Sequence, residues 1–201
     1  MVRKGSHPWL GKGMKELLGR LYDMNVARPA SWWGRSVVLN HAANVIWERF
    51  MPAWTKCLPH TGHPSDADLK TIQRLDLELL GPWRLLVGLT LESGVKALLV
   101  AKQPNRVKDG KVHWPGIAKA GHDLPDLFRE AGIKVDRDEH HMLEELTESV
   151  VWLEKYPVPK KRVDMTWTKT NVRKWPRLVV GLLARVQEEL PEMTDLGPIA
   201  F

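Results

Sequence analysis

The hydrophobic pattern is densest over Pro82–Lys102, PWRLLVGLTLESGVKALLVAK, where only Arg84, Thr90, Glu92, Ser93 and Lys96 interrupt the apolar residues. An apolar surface on all sides for about five helical turns predicts a helix enclosed by neighbours rather than one with a single buried stripe. Glu92 and Lys96 near the middle argue against a membrane span, since each would cost about 2.5–3.5 kcal/mol at a bilayer centre. They stand i,i+4 in the favourable order and can pair. Gly88 and Gly94 each cost about 1 kcal/mol against alanine inside a helix, and close approach of another helix is their expected compensation.

The 3.6-residue period recurs elsewhere. A short helix is expected over Met14–Tyr22, with Leu17, Leu18 and Leu21 as its apolar side and a break at Pro29. A second, capped by Ser31 or Ser36, carries Val38, Ala42, Val45, Ile46, Arg49 and Phe50 at helical spacing and should end at Pro52. Residues 51–65 read as a loop. Ser65 or Asp66 starts a helix to Leu80 that buries Leu69, Ile72, Leu75, Leu79 and Leu80. Residues 103–121 read as a long polar, basic connection. In HDLPDLFREAG, Asp123 is a cap, Pro125 falls in the first turn, and Leu124, Leu127 and Phe128 point inward. Gly132 closes that helix. An acidic helix from Asp136 to Lys155 carries Met142, Leu143, Leu146, Val150 and Leu153. A last one, with Pro176 in its first turn, buries Leu178, Val179, Leu182, Leu183, Val186 and Leu190. No alternation of apolar and polar residues argues for a strand. The expected class is all-α, with a basic N-terminal arm or docking helix over 1–30 and a helical domain over 31–201.

Composition changes this picture in three ways. The net charge of +6 permits a polyanionic partner without demanding one. A single cysteine, Cys57, excludes an internal disulfide framework and suits a reducing cytoplasm. The basic N-terminus has no apolar stretch of the secretory kind, and no run of 18 apolar residues predicts a membrane span. Ten tryptophans against two tyrosines and three phenylalanines imply that helix interfaces are filled largely by indole rings.

Candidate chemistry is sparse. His122 and Asp123 sit at a helix start, where Asp123 can accept backbone N–H bonds and His122 can bond a neighbouring helix. The structural role is favoured over a ligand-binding one. Cys57, His60 and His63, with Asp66 and Asp68 behind them, place soft and imidazole ligands in one segment, but not at a usual zinc spacing. No metal or other cofactor is assigned. His140–His141 reads as solvated surface. The segment PKKRVDMTWTKTNVRKW is the foremost binding candidate: Lys160, Lys161 and Arg162 precede Trp167, while Arg173, Lys174 and Arg177 surround Trp175. Cations interleaved with aromatics suit single-stranded nucleic acid, whose bases stack and whose phosphates pair. The competing reading is a solvated loop that balances the acidic helix before it.

Three landmarks in order, GLTLESGVKALLVA with Glu92 and Lys96, then GHDLPDLFREAG with His122 and Asp123, then LEKYP, resemble the HEPN superfamily of small all-α domains. The resemblance covers roughly Leu75–Pro157. It implies a HEPN-like helical bundle with an additional C-terminal helix, and a homodimer. Many members of that superfamily are metal-independent ribonucleases of toxin–antitoxin, CRISPR-linked or phage-defence systems, with an Arg and a His four to six residues apart in a site shared across a dimer. Histidine would move the 2′-hydroxyl proton or protonate the leaving oxygen, and arginine would neutralise charge on the phosphorus centre. Other members lack the pair and resemble binding or partner modules. This chain has no histidine after His141, so the usual late pair is missing. Arg35 and His41 match the spacing, but six helical steps leave them about 120° apart unless the helix starts at Ser36. His41 also reads as a core histidine among Val37, Val38 and Val45. Arg106 and His113 match too, in a glycine-containing segment. The leading expectation is a binding or partner module for RNA or nucleotide, in a defence or toxin–antitoxin setting, or for a partner protein. A metal-independent endoribonuclease using Arg35 and His41 is the alternative, and a purely structural helical protein the third.

Overall fold

The computed structural model describes residues 12–57, 79–108, 111–113, 121–153 and 172–190. Among these lie six α-helices and one small hairpin, an all-α architecture. The helices are α1 (Lys12–Ala27), α2 (Pro29–Cys57), α3 (Leu80–Lys102), α4 (Leu124–Ala131), α5 (Arg137–Leu153) and α6 (Trp175–Glu188). Strands β1 (Val107–Lys108) and β2 (Lys111–Val112) pair antiparallel between α3 and α4. No described helix is long and apolar enough to cross a membrane.

Helix α3 is the centre of the bundle, as its unbroken apolar pattern requires. Every residue from Thr90 to Val100 is buried, and α2, α4, α5 and α6 all pack against the helix. Both of its interior glycines mark a close approach. A Cβ on Gly88 would lie 2.5 Å from Val150 Cγ2 and 3.3 Å from the Leu146 carbonyl, so α5 occupies that space. A Cβ on Gly94 would meet Leu183 of α6 at 3.1 Å and Ser36 Oγ of α2 at 3.2 Å. Helix α2 runs antiparallel to α3, with Trp33 and Ser36 beside Gly94 at one end and Trp47 and Phe50 against Trp83 at the other. Helix α6 runs parallel to α3. It starts with Trp175, whose ring lies 5.8 Å from Trp83, and ends with Glu189 paired to Lys102. The tryptophans Trp33, Trp83 and Trp175 are fully buried, as the indole-rich composition implies.

The short helices start and stop where their sequences direct. Asp123 Oδ1 accepts the Asp126 N–H at 3.0 Å, and Gly132 takes the left-handed conformation at φ 79° that ends α4. Asp136 and Glu139 form a reciprocal capping box at the start of α5, each carboxylate accepting the other's backbone N–H. Its stripe of Met142, Leu143, Leu146 and Val150 is fully buried.

Four expectations need correction. Helix α2 begins at Pro29, in the favoured first-turn position, so neither Ser31 nor Ser36 caps it. Ser36 is buried in mid-helix, where its hydroxyl donates to the Thr90 carbonyl at 2.8 Å. The helix also runs through Pro52 to Cys57, because Trp47 and Phe50, packed on Trp83, hold the preceding turn. The buried face is the row Trp33, Ser36, Asn40, Ala43 and Phe50; Val38 and Val45 of the predicted stripe are 68% and 58% exposed. Last, the connection after α3 contains the hairpin, which the reading without strands missed. The expected helix over 66–80 lies mostly outside the described residues, though Leu79 and Leu80 do pack on the core.

Candidate functional site

Sequence places Glu92 and Lys96 one turn apart on α3, and the fold closes a polar cluster around them. Lys96 Nζ donates to Glu92 Oε1 at 2.5 Å, and both side chains are over nine-tenths buried. The second carboxylate oxygen, Oε2, lies 3.0 Å from Nδ1 of His122, which the segment before α4 brings against α3. Trp32 of α2 supplies an aromatic face, its ring centroid 5.8 Å from Lys96 Nζ. That indole is held in turn by its N–H, which donates to the Val26 carbonyl at 3.0 Å. Three elements far apart in sequence thus meet at one ion pair.

The chemistry of this cluster follows from its donors. A carboxylate accepts hydrogen bonds and cannot donate them, so His122 presents Nδ1–H to Glu92. A neutral His122 then keeps an unprotonated Nε2, and its side chain is 37% exposed. A carboxylate that orients an imidazole is the arrangement of an acid–base histidine. Here the same carboxylate is also neutralised by Lys96, and among the described residues no serine, cysteine or threonine is bonded to His122. The cluster as described polarises and fixes a partly exposed histidine at the edge of the bundle. His122 bonds the neighbouring helix, as expected of it, and Asp123 caps α4.

The Arg–His spacings do not form a site within one chain. Helix α2 is continuous from Pro29, which removes the late start at Ser36 that would have brought Arg35 and His41 together. Both are exposed, about 120° apart on the helix. His41 accordingly is not a core histidine: the flanking Val38 and Val45 face outward with it. Arg106 and His113 are joined by a backbone bond, the His113 N–H to the Arg106 carbonyl at 2.9 Å. The Arg106 guanidinium, however, is buried in an ion pair with Glu130 and also donates to Gln103. It serves packing rather than solvent-facing chemistry.

The expected basic segment is divided. Lys160, Lys161, Arg162 and Trp167 lie outside the described residues. Arg173, Lys174 and Arg177 are exposed, with Lys174 paired to Asp138 at 3.3 Å. Trp175 is corrected: it is fully buried, stacked on Trp83 and covered by the Arg84 guanidinium at 5.5 Å, so it offers no face for a nucleobase. Burial lowers the pKa of Arg84, opposed by the nearby carboxylates of Glu145 and Glu148. Of the cysteine–histidine set, His60, His63, Asp66 and Asp68 lie outside the described residues, as does the side chain of Cys57. No group of three or more metal-binding side chains occurs among the described residues. His140 and His141 are exposed beside Glu144.

The basic hairpin was not anticipated. Its signal was present in Val107-Lys108-Asp109-Gly110-Lys111-Val112, because Asp-Gly between short β-prone pairs favours two-residue hairpin connections. Strands of two residues are too short for an alternation count to detect. No family model, curated protein or solved structure matches the chain.

Proposed function

We propose that this protein is a HEPN-like helical module that binds RNA, of the kind used in defence and toxin–antitoxin systems, and that it acts as a homodimer. The observation that carries the reading is the Lys96–Glu92–His122 cluster. Glu92, Lys96 and His122, three of the residues that carry the sequence resemblance, meet at one point, where a partly exposed histidine is fixed against the central helix. The net charge of +6 and the exposed Arg173 and Arg177 suit a polyanion. Binding is favoured over cleavage because Arg35 and His41 diverge on one continuous helix and Arg106 is committed to Glu130.

A second copy is the occupant that suits the exposed apolar row of α1. Met14, Leu17, Leu18, Leu21 and Met24 fall at helical spacing and are 41–51% exposed. Val38 and Val45 on the adjoining helix α2 offer a matching stripe to a partner's α1.

Incubation of purified protein with several labelled RNAs in EDTA tests the reading directly. Retarded but intact RNA, with affinity falling steeply as salt rises, is the expected outcome. Undetectable or salt-independent binding would sink it. Metal-independent cleavage lost in His41→Ala would establish the nuclease alternative instead.

A further inference from the structure

We infer that His122 reads the ribose: its Nε2 accepts a hydrogen bond from an RNA 2′-hydroxyl and makes the module prefer RNA to DNA. The inference rests on the RNA-binding reading above. Both oxygens of the Glu92 carboxylate are engaged, Oε1 by Lys96 Nζ and Oε2 by His122 Nδ1. A carboxylate only accepts, so Nδ1 carries the proton and the neutral ring keeps an acceptor lone pair on Nε2. Nε2 has no partner among the described residues, and the side chain is 37% exposed. The other described histidines lack this constraint. His41 and His113 are exposed and held by no side-chain bond among the described residues. His140 and His141 share Glu144, a carboxylate that is itself exposed. Among the described histidines, His122 alone has its tautomer fixed by a buried carboxylate.

The charge around this acceptor decides what it can bind. Lys96 neutralises Glu92, whereas Asp123, the next residue along the chain, caps α4 and has no cation paired to it among the described residues. An imidazole beside that carboxylate is a poor place for a phosphate and a tolerant one for an uncharged hydroxyl. The 2′-hydroxyl is the O–H donor that RNA carries and DNA lacks. The acceptor is also held in advance. Glu92 and Lys96 are over nine-tenths buried, and the Leu124 N–H donates to Thr147 Oγ1 of α5 at 3.0 Å, which ties down the segment carrying His122. Little ordering is left for the ligand to impose.

The test is fluorescence anisotropy of three labelled single strands of one sequence, RNA, DNA and 2′-O-methyl RNA, titrated with the full chain across a salt series. One hydrogen bond of ordinary strength corresponds to a preference of about 2- to 12-fold. The wild type should hold RNA tighter than both other strands by about that factor, because the methyl ether keeps the oxygen and loses the donor. His122→Phe should bring RNA down to the affinity of DNA. The slope of log affinity against log salt should stay as it is, since no phosphate contact is removed. His140→Phe, a control at an exposed histidine, should keep the preference. Should His122→Phe fold poorly, Glu92→Gln/Lys96→Met removes the carboxylate that fixes the Nδ1 proton and should weaken the same preference. Equal binding of all three strands by the wild type overturns the ribose contact while leaving RNA binding intact. So does discrimination against DNA but not 2′-O-methyl RNA, a preference that survives His122→Phe, or one lost equally in His140→Phe. A wild-type chain that binds no strand removes the functional reading itself.

Discussion

Lys96 and Glu92 are the residues whose energetics are most exposed to test. Each is over nine-tenths buried, and the two are paired directly. Removing one partner of a buried pair typically destabilises by about 3–5 kcal/mol, because the remaining charge is stranded; replacing both is far milder. Lys96→Met should therefore lower stability by about that amount in urea denaturation, while Glu92→Gln/Lys96→Met recovers most of it. Equal losses in the single and double variants would mean that the pair is not coupled as the geometry indicates. His122 enters the same balance through Glu92 Oε2, which gives this half-exposed residue a fixed orientation.

At the scale of elements, two glycines in helices make opposite forecasts. Gly88 faces α5, where an added methyl would collide with Val150, whereas Gly34 has nothing within 4 Å of its would-be Cβ. Gly88→Ala should destabilise by about 1–3 kcal/mol through overpacking. Gly34→Ala should stabilise by up to about 1 kcal/mol through helix propensity alone. Thermal melting of the two variants checks the pair, and a stabilised Gly88→Ala would contradict the close α3–α5 contact. Helix α2 shows why its buried face was not legible. Ser36 and Asn40 are polar, yet they lie inside, because the approach to Gly94 demands a small residue and the Ser36 hydroxyl has the Thr90 carbonyl to bond. Val38 and Val45 are more hydrophobic but stand on the face that no described element covers.

For the whole molecule, the row of apolar side chains on α1 makes the oligomeric state a measurable consequence of the fold. Light scattering coupled to gel filtration should give twice the chain mass of 23.0 kDa for the wild type. Leu17→Glu/Leu21→Glu should shift it to a monomer with little loss of helical signal, because both side chains are exposed in the single chain. A wild-type monomer at all accessible concentrations would refute the dimer. The pattern alone gives Leu17, Leu18 and Leu21 as the apolar side of this helix and leaves open whether it docks elsewhere or folds onto the bundle. Among the described side chains of α1, Val26, near its C-terminal end, is buried and the apolar row is exposed.

What sequence alone determined is the set of local patterns strong enough to stand without help from distant contacts. The enclosed central helix, its Glu92–Lys96 spacing, the Asp123 cap, the Gly132 stop and the stripe of α5 are all local patterns. Periodicity and capping are interactions over three or four residues, and in these stretches, unlike α2, the packing agrees with them. Tertiary structure decided what depends on partners across the chain. It turned α2 to its Trp33–Phe50 face, buried Trp175 against Trp83 and committed Arg106 to Glu130. It also carried His122 to Glu92, thirty residues earlier, and set Lys108 across from Lys111. Those outcomes rest on which surfaces meet, and the physical cause is that burial and ion pairing are properties of contacts rather than of residues.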